Sequence, residues 1–556
     1  MLNCKNLCVE TSDGKSILKN ATVGFKPSAM NAVIGPSGCG KTTLIKAMLK
    51  IIDSSGESFF GSQKINSSDE LVGKVGFAPQ FTCAHTMLTV GEVVKNALDF
   101  SIDDSSLKQT RTNEILETVG LSEHVDKLVG SLSGGQLRRI GLALELANDP
   151  TLMCCDEVTS GLDPLSENAI LDLLTSLCKT RSKTFICVIH NLAKLDYFDL
   201  ITVVYEGEIV FQGNLKELKS YFQIDSALSL YDRLNSIGID KLRQDWQEHN
   251  NQDIINECES LSVASANISS RPGIITQLLF LMIRRYKLFF RDYSYLLLTM
   301  AISFGFPLVV VIFAIGGLPE IEGLALERNL GMLEELKMSL RSQISAANTS
   351  SIVVGLILFQ VVLLSLMGAN NSSSEIAGER NLYEKERLIG LNPVAYALSK
   401  ILFTGSLAVF QGIWMCLFVK FVCKFPGDAF VQCGVLSMIS ISMTFICLAF
   451  SSLFTSSEKA SMVSIYLVGF QLPLSGVVLA LPEALKWVCR PFIATYWGWA
   501  GYMTSMKDTA IYDAYIMTKI TPEFMPSPTL ACIVLAIQAL FALCVIFWGC
   551  YKKRWN

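Results

Sequence analysis

Residues 292–551 carry nearly all the long apolar runs of this 556-residue chain, and nothing else in it constrains the fold as strongly. Six runs are long enough to cross a hydrocarbon core of about 30 Å. They cover 295–318, 351–369, 395–421, 430–454, 460–481 and 528–551. Inside lipid every backbone N–H and C=O must find its partner within the segment, so apolar runs of this length can only be helices. Orientation follows from the basic residues. Arg284, Arg285, Lys287 and Arg291 precede the first run, Arg380, Lys385 and Arg387 separate the second from the third, and Lys552, Lys553 and Arg554 follow the sixth. All fall on one side, which the positive-inside rule makes the cytosol. Both termini are expected there, in a plasma membrane or bacterial inner membrane. The segments 319–350, 422–429 and 482–527 then lie outside.

Composition agrees with two unlike halves. The chain is 51% hydrophobic and 17% charged, against roughly 25% charged in soluble proteins. Its mean hydropathy of +0.41 is nonetheless too polar for a chain that is all membrane. Residues 1–290 mix charged and apolar residues as a soluble domain does. Disorder, collagen-like structure and a small disulfide scaffold are excluded. A net charge of −4 gives no electrostatic case for nucleic acid. The 17 cysteines form no CxxC pair and sit mostly in the soluble half or in apolar runs, as buried reduced thiols do. The N-terminal stretch lacks a basic region followed by an apolar one, so no cleavable signal is expected.

Three segments of the soluble half carry chemistry. The first reads Val33-Ile34-Gly35-Pro36-Ser37-Gly38-Cys39-Gly40-Lys41-Thr42-Thr43, between an apolar strand and a helix pattern (Leu44, Ile45, Met48, Leu49). Its glycines let backbone amides curl around phosphates at a helix N-terminus. Lys41 suits the β- and γ-phosphates of ATP, and the Thr42 hydroxyl suits Mg²⁺. The second is a buried strand ending in Asp156 and Glu157. Asp156 suits the Mg²⁺ shell and Glu157 the attacking water; taken alone, the pair also reads as an acidic cap for the next helix. The third is Leu132-Ser133-Gly134-Gly135-Gln136, opening a helix over 137–146. It is a second anion-binding helix start. One phosphate-binding domain needs a single such start, so the economical solution is a head-to-tail dimer in which the second start caps the partner's γ-phosphate.

In chain order, the P-loop, Leu132–Gln136 and the strand ending in Asp156-Glu157 resemble the nucleotide-binding domain of the ABC transporter family. The resemblance implies an ABC-type α/β P-loop ATPase domain over residues 1–223. It extends to Gln80, which resembles the Q-loop glutamine that reaches Mg²⁺ and senses the membrane domain. Ser160-Gly161-Leu162-Asp163 resembles the D-loop, and His190 resembles the switch histidine on the γ-phosphate. By this resemblance Glu157, His190 and Gln80 are catalytic. Gly35, Pro36, Ser37, Gly38, Cys39, Gly40, Lys41, Thr42, Thr43, Ser133, Gly134, Gly135, Gln136 and Asp163 bind the nucleotide, and Thr42, Gln80 and Asp156 hold Mg²⁺. Two departures stand out. No aromatic occurs around residues 8–16, where many members stack adenine, and Val158 follows Glu157 where proline is usual.

ATPase first and six spans second is similar to the G-subfamily (white/brown type) half-transporters and to bacterial ATPase–permease fusions with a type-2 permease. That implies a polar linker at 224–271, an amphipathic connecting helix at 272–291 and an all-α six-span domain at 292–556. It also implies a homodimer, or a heterodimer with another half-transporter, set among membrane lipids. Glu375-Ile376-Ala377-Gly378-Glu379-Arg380, with Glu384-Lys385-Glu386-Arg387, resembles the loop by which such permeases rest on their ATPase.

No Asp, Glu, Lys or Arg lies in mid-span, which argues against an ion path. An apolar cavity lined by Phe359, Gln360, Phe470 and Gln471 would suit a lipid or other amphipathic molecule. The same glutamines, with Gln411 and Gln538, equally read as interhelical glue. The expectation is export of a lipophilic small molecule. The alternative is an ATPase that transmits force to an outside partner, for which Leu326, Leu330, Leu333, Leu336 and Leu340 supply a helical stripe. Cys423 and Cys489 are expected to face outside, and sequence leaves their pairing open.

Overall fold

The computed structural model describes residues 2–11, 14–249, 272–313, 332–479, 481–518 and 525–552. The chain divides into one unit of Met1–Phe280 with Asn381–Asn392 and another of Leu281–Arg380 with Pro393–Arg554.

The first unit is built on strands β1 (Leu2–Glu10), β2 (Ser16–Gly24), β3 (Met30–Ile34), β4 (Ser55–Phe60), β5 (Gln63–Ile65), β6 (Val75–Ala78), β7 (Leu152–Asp156), β8 (Thr184–Val188), β9 (Leu200–Tyr205) and β10 (Glu208–Gly213). Six form a sheet in the order β10-β9-β3-β8-β7-β6, parallel except for β10. β3, β7 and β8 are buried along their whole length, which is why they read as continuous apolar runs without alternation. An antiparallel sheet, β2-β1-β4-β5, encloses a second layer of core with the helix Lys41–Met48. Ligands of open parallel sheets gather at the carboxyl ends of the strands, and here β3, β6, β7 and β8 all end in the candidate segments.

The expected linker at 224–271 is only partly a linker. Residues Leu230–Ile237 and Ile239–His249 are helices of the ATPase unit. Leu230, Leu234 and Leu242 are buried, Arg243 pairs with Glu208 at 2.5 Å, and Trp246 packs beside Phe211. A few leucines at helical spacing anchor the segment despite its polar average. The rest, with the expected helix at 254–261, lies outside the described residues.

The connecting helix spans Ile274–Arg291. Ile275, Leu279, Ile283 and Phe290 are exposed while Gln277 and Arg284 are buried. Leu281, Leu288 and Phe289 are buried with them, so the helix carries apolar residues on both its inner and outer faces.

The second unit is helical: Tyr293–Ile312, Met332–Ser372, Pro393–Cys423, Ala429–Leu453, Ser457–Leu474 and Pro528–Tyr551. Among the described residues, five helices are long and apolar enough to cross a membrane. The run at 460–481 folds as Ser457–Leu474, about 27 Å long at 1.5 Å per residue. Glu458 and Lys459 in its first turn and Gln471 near its end dilute its hydropathy. Ala429–Leu453 packs against Met332–Ser372, Pro393–Cys423, Ser457–Leu474 and Pro528–Tyr551. At Gly412 a Cβ would stand 2.6 Å from the Ser437 Cα, so only glycine lets these two helices approach so closely.

Two expected outer segments differ from plain loops. Residues 332–350 are helical and continuous with the second span; Leu326 and Leu330 lie outside the described residues. Within 482–527, helix Ala494–Thr504 is sunk among the spans, with Trp499, Tyr502 and Met503 buried. Its run of small and aromatic residues has no charge to keep in water. Cys423 and Cys489 are both free thiols.

Three of the four glutamines, Gln411, Gln471 and Gln538, behave as glue, and the buried Gln360 side chain has no hydrogen-bond partner among the described residues. Gln411 donates to Ser303 and accepts from Asn371, Gln471 accepts from the Thr495 N–H, and Gln538 donates to the Pro491 carbonyl. Phe470 is exposed and Gln360 fully buried, so within one chain these residues do not share an environment.

Candidate nucleotide site

The chain leaving β3 turns sharply at Gly35, where an added Cβ would meet the Val204 carbonyl at 2.0 Å. Gly38 and Gly40 continue with φ of 79° and 101°, the left-handed region that glycine tolerates. The loop ends as the N-cap of Lys41–Met48. Ser37, Gly38, Gly40, Lys41, Thr42 and Thr43 line a cavity of about 640 Å³ with Glu157 and His190. Gly35, Pro36 and Cys39 shape the loop and do not line it. The Lys41 ammonium donates to the Gly35 and Pro36 carbonyls, each at 2.9 Å. Burial pushes the Cys39 thiol up, with Lys41 opposing, and it packs into the core.

At the end of β7, the Thr42 hydroxyl donates to Asp156 at 2.8 Å. Burial pushes the Asp156 carboxyl above the usual carboxylate range, against the pull of that hydroxyl. Among the described residues no three His, Cys, Asp or Glu side chains cluster as metal ligands. Thr42 with Asp156 is an oxygen pair, the kind of protein contribution Mg²⁺ takes when phosphates supply other ligands. The residues therefore fit this ion.

Glu157 stands next, with φ of 53°. A non-glycine residue there stores roughly 1–3 kcal/mol, a cost typical of functional positions. Its carboxylate is held on both sides: Gln80 donates to Oε2 at 2.8 Å, and His190 Nε2 lies 2.5 Å from Oε1. Gln80 is thus beside the expected base, but it does not line the cavity. Glu157 and His190 also line a smaller cavity of about 200 Å³ with Ser160, Gly161 and Leu162. The expected D-loop contact, Asp163, lines neither cavity. It caps the helix Pro164–Arg181 by accepting from Leu165 and Ser166 N–H groups.

The segment Ser133–Gln136 opens the helix Gly134–Leu146 with a reciprocal capping box. Gln136 also contacts His124 at 2.8 Å. None of Ser133, Gly134, Gly135 and Gln136 lines the P-loop cavity of its own chain.

Other lining residues were not anticipated: Thr11, Lys15, Ser16, Ile17, Lys19, Glu206 and Gly207. The first five come from the β1–β2 hairpin that lacks an aromatic. Lys15 and Lys19 flanking Ile17 are the signal that a search for an aromatic passes over. Glu206 and Gly207 both have positive φ, as the tight β9–β10 turn requires, and the Gly207 N–H donates to the Cys39 carbonyl at 3.1 Å.

The "ABC transporter" family matches residues 18–160 and the "ABC-2 type transporter" family residues 276–500. A methionine import ATP-binding protein of Lactobacillus johnsonii is 30% identical over 288 residues, 48% of this chain and 82% of that one. The chain belongs to the ABC transporter family. ABC transporter G family member 23 of Arabidopsis thaliana is 30% identical over 281 residues, 44% of this ABC chain and 45% of that one. An ABC transporter ATP-binding/permease protein of Mycobacterium tuberculosis is 32% identical over 203 residues, 35% and 23% of the two chains. The match spans less than half the length of these last two relatives.

Two features of this ABC transporter chain lay beyond sequence reasoning. In the ATPase unit, Lys385 and Glu145 approach to 3.0 Å with both side chains enclosed. In the helical unit, Lys400 bridges Glu375 and Glu379 at 2.9 and 2.6 Å, while Arg285 holds Glu375 at 2.6 Å.

Proposed function

We propose that this chain is half of an ATP-driven exporter that dimerises head to tail and moves a lipid or other lipophilic, amphipathic small molecule. One observation carries the reading: the P-loop cavity has its base and its histidine from its own chain but no signature residue. A second copy, or a second half-transporter, supplies Ser133–Gln136 across the interface.

In this reading the P-loop amides and Lys41 hold the β- and γ-phosphates, with Lys41 exchanging its carbonyl partners for phosphate oxygens. Thr42 and Asp156 would hold Mg²⁺, which would supply positive charge against the phosphates. Glu157 orients and deprotonates the attacking water. His190 fixes one carboxylate oxygen of Glu157 and Gln80 the other, so the base is oriented before water arrives. The chemistry reaches the helix Arg380–Ile389 through a short path. Lys385 pairs with Glu145, whose Oε2 accepts from the Phe77 N–H at 3.0 Å on β6. β6 ends beside Pro79 and Gln80, and Gln80 holds Glu157.

The test is ATP hydrolysis by the purified chain in liposomes, screened against lipids and amphiphiles, with flux of the active compound measured inside out. Stimulation and export by at least one lipophile is expected. Robust hydrolysis that no lipophile alters, with no flux, would overturn the exporter reading.

A further inference from the structure

The helix Pro393–Cys423 ends in a built feature that ATP chemistry does not use. Trp414, Leu417, Phe418 and Phe421 fall on one face of its last turns, at helical spacing. With Lys420, Lys424 and Phe425 they line an open cavity of about 730 Å³, within the ~300–1,000 Å³ typical of ligand sites. The wall is aromatic and rigid. Trp414 lies 5.7 Å from Phe418 and 5.1 Å edge-on from Phe304 of the neighbouring helix. Phe421 and Leu417 are exposed on a helix that is otherwise suited to cross a bilayer.

The two lysines differ in role. Lys420 is committed to the protein: its ammonium donates to the Phe425 and Gly427 carbonyls, each at 2.9 Å, and to Gln432 at 2.8 Å. Those bonds fix the turn 423–427. Lys424 sits on that turn with φ of 53°, in the left-handed region. It is exposed, and no acidic residue lines the cavity. That conformation is an ordinary helix termination, and it places the Lys424 ammonium beside the aromatic wall.

We infer that this groove is a binding site for an anionic phospholipid. Its acyl chain lies along Trp414, Leu417, Phe418 and Phe421, and its phosphate rests on Lys424. The apolar wall continues the exposed apolar surface of the helix at Phe410, Ile413, Leu417 and Phe421, and aromatic residues at a span's end suit the headgroup level. A soluble anion would gain nothing from that wall. A peptide would have to bring its own acidic group to the same depth.

The full chain is reconstituted in phosphatidylcholine nanodiscs doped with a diazirine-tailed phosphatidylglycerol or a diazirine-tailed phosphatidylcholine, and adducts are mapped by mass spectrometry. The phosphatidylglycerol probe is expected to concentrate several-fold on residues 414–425 over the phosphatidylcholine probe. Lys424→Glu abolishes that preference and Lys424→Arg keeps it, with ATP turnover unchanged in both. Should Lys424→Glu fail to fold, unlabelled phosphatidylglycerol competing the adduct away in the unmodified chain replaces that arm. Equal labelling by both probes, persistence of the preference in Lys424→Glu, displacement by inorganic phosphate, or cross-links from this segment to a second copy would each overturn the assignment.

Discussion

Lys385 and Glu145 are an ion pair with the two side chains only 2% and 4% exposed, and Glu145 reaches from it to the backbone of β6. Two charges so enclosed give up most of their hydration, and what the pair contributes is registration more than stability. Lys385→Met leaves a buried carboxylate alone and is expected to cost about 3–5 kcal/mol. The double variant Lys385→Met/Glu145→Gln removes both charges and recovers most of that loss. Thermal unfolding of the four species of the cycle measures it. The double variant should hydrolyse ATP but lose its stimulation by transported compounds.

The same pair predicts a pH dependence. Burial raises the Glu145 carboxyl above its ordinary value, with Lys385 opposing. A carboxylate with a raised folded pKa binds more protons folded than unfolded. Stability therefore falls as pH rises from about 4.3, the unfolded value, through the folded one. Removing Lys385 removes the opposing charge and widens that window. Lys385→Met should thus be least stable above it and regain stability on acidification, whereas Lys385→Met/Glu145→Gln should not show this rescue. Melting temperatures across pH in one detergent separate the two.

Glu157 carries chemistry and strain together. Glu157→Gln should lower ATP turnover by about 100-fold or more while leaving nucleotide binding intact. Glu157→Gly is as inactive but relieves the left-handed backbone, so it should melt above Glu157→Gln by the equivalent of about 1 kcal/mol. Equal melting temperatures would count against strain at this position, and hydrolysis at the wild-type rate in Glu157→Gln would remove it as the base.

Arg380 is the largest fully buried side chain among the described residues of the helical unit. It donates to the Gly549 and Lys552 carbonyls at 3.0 and 2.9 Å, at the C-terminal end of the last membrane helix. Its charge also meets the negative end of that helix dipole. Arg380→Met should destabilise the chain by about 3 kcal/mol or more. Arg380→Lys should rescue little, because an ammonium cannot replace the planar fork. Folded yield and thermal unfolding in detergent report both.

These residues mark what the sequence made legible and what it did not. Short-range patterns were readable because the chemistry itself is local. The loop 35–43 must curl around phosphate, and β7 must end in acids. The apolar runs had to be helices because lipid leaves no other choice. Partners that depend on tertiary placement were hidden. Nothing in the spacing of Glu145 and Lys385, or of Glu375 and Lys400, shows that they meet. Asp163 is a residue whose resemblance points to nucleotide while, within one chain, its carboxylate caps the helix Pro164–Arg181. The helix 494–504 lies in the segment that the basic residues place outside, yet Trp499 and Tyr502 are core residues, because their packing depends on tertiary placement.

The division of the nucleotide site between two chains can be tested by complementation. Lys41→Ala disables a P-loop. Gly134→Asp sets a carboxylate at the start of the signature helix, and its Cβ meets nothing closer than Leu162 Cδ2 at 4.0 Å, so the fold of its own chain is spared. Each variant alone should be inactive, since every composite site of its homodimer is damaged. In a mixed dimer one site collects both defects and the other collects neither. Co-expression at equal levels then restores roughly a quarter of the wild-type number of intact sites, because half of randomly paired C2 dimers are mixed and each keeps one of two sites. ATP turnover of the unselected mixture reads this directly, and purification through two different affinity tags isolates the mixed dimers, in which about half of the sites are intact. Recovery of hydrolysis requires the signature to act across an interface between copies of this chain. No recovery, with mixed dimers demonstrably present, would mean that each site is completed within one chain or by a different half-transporter.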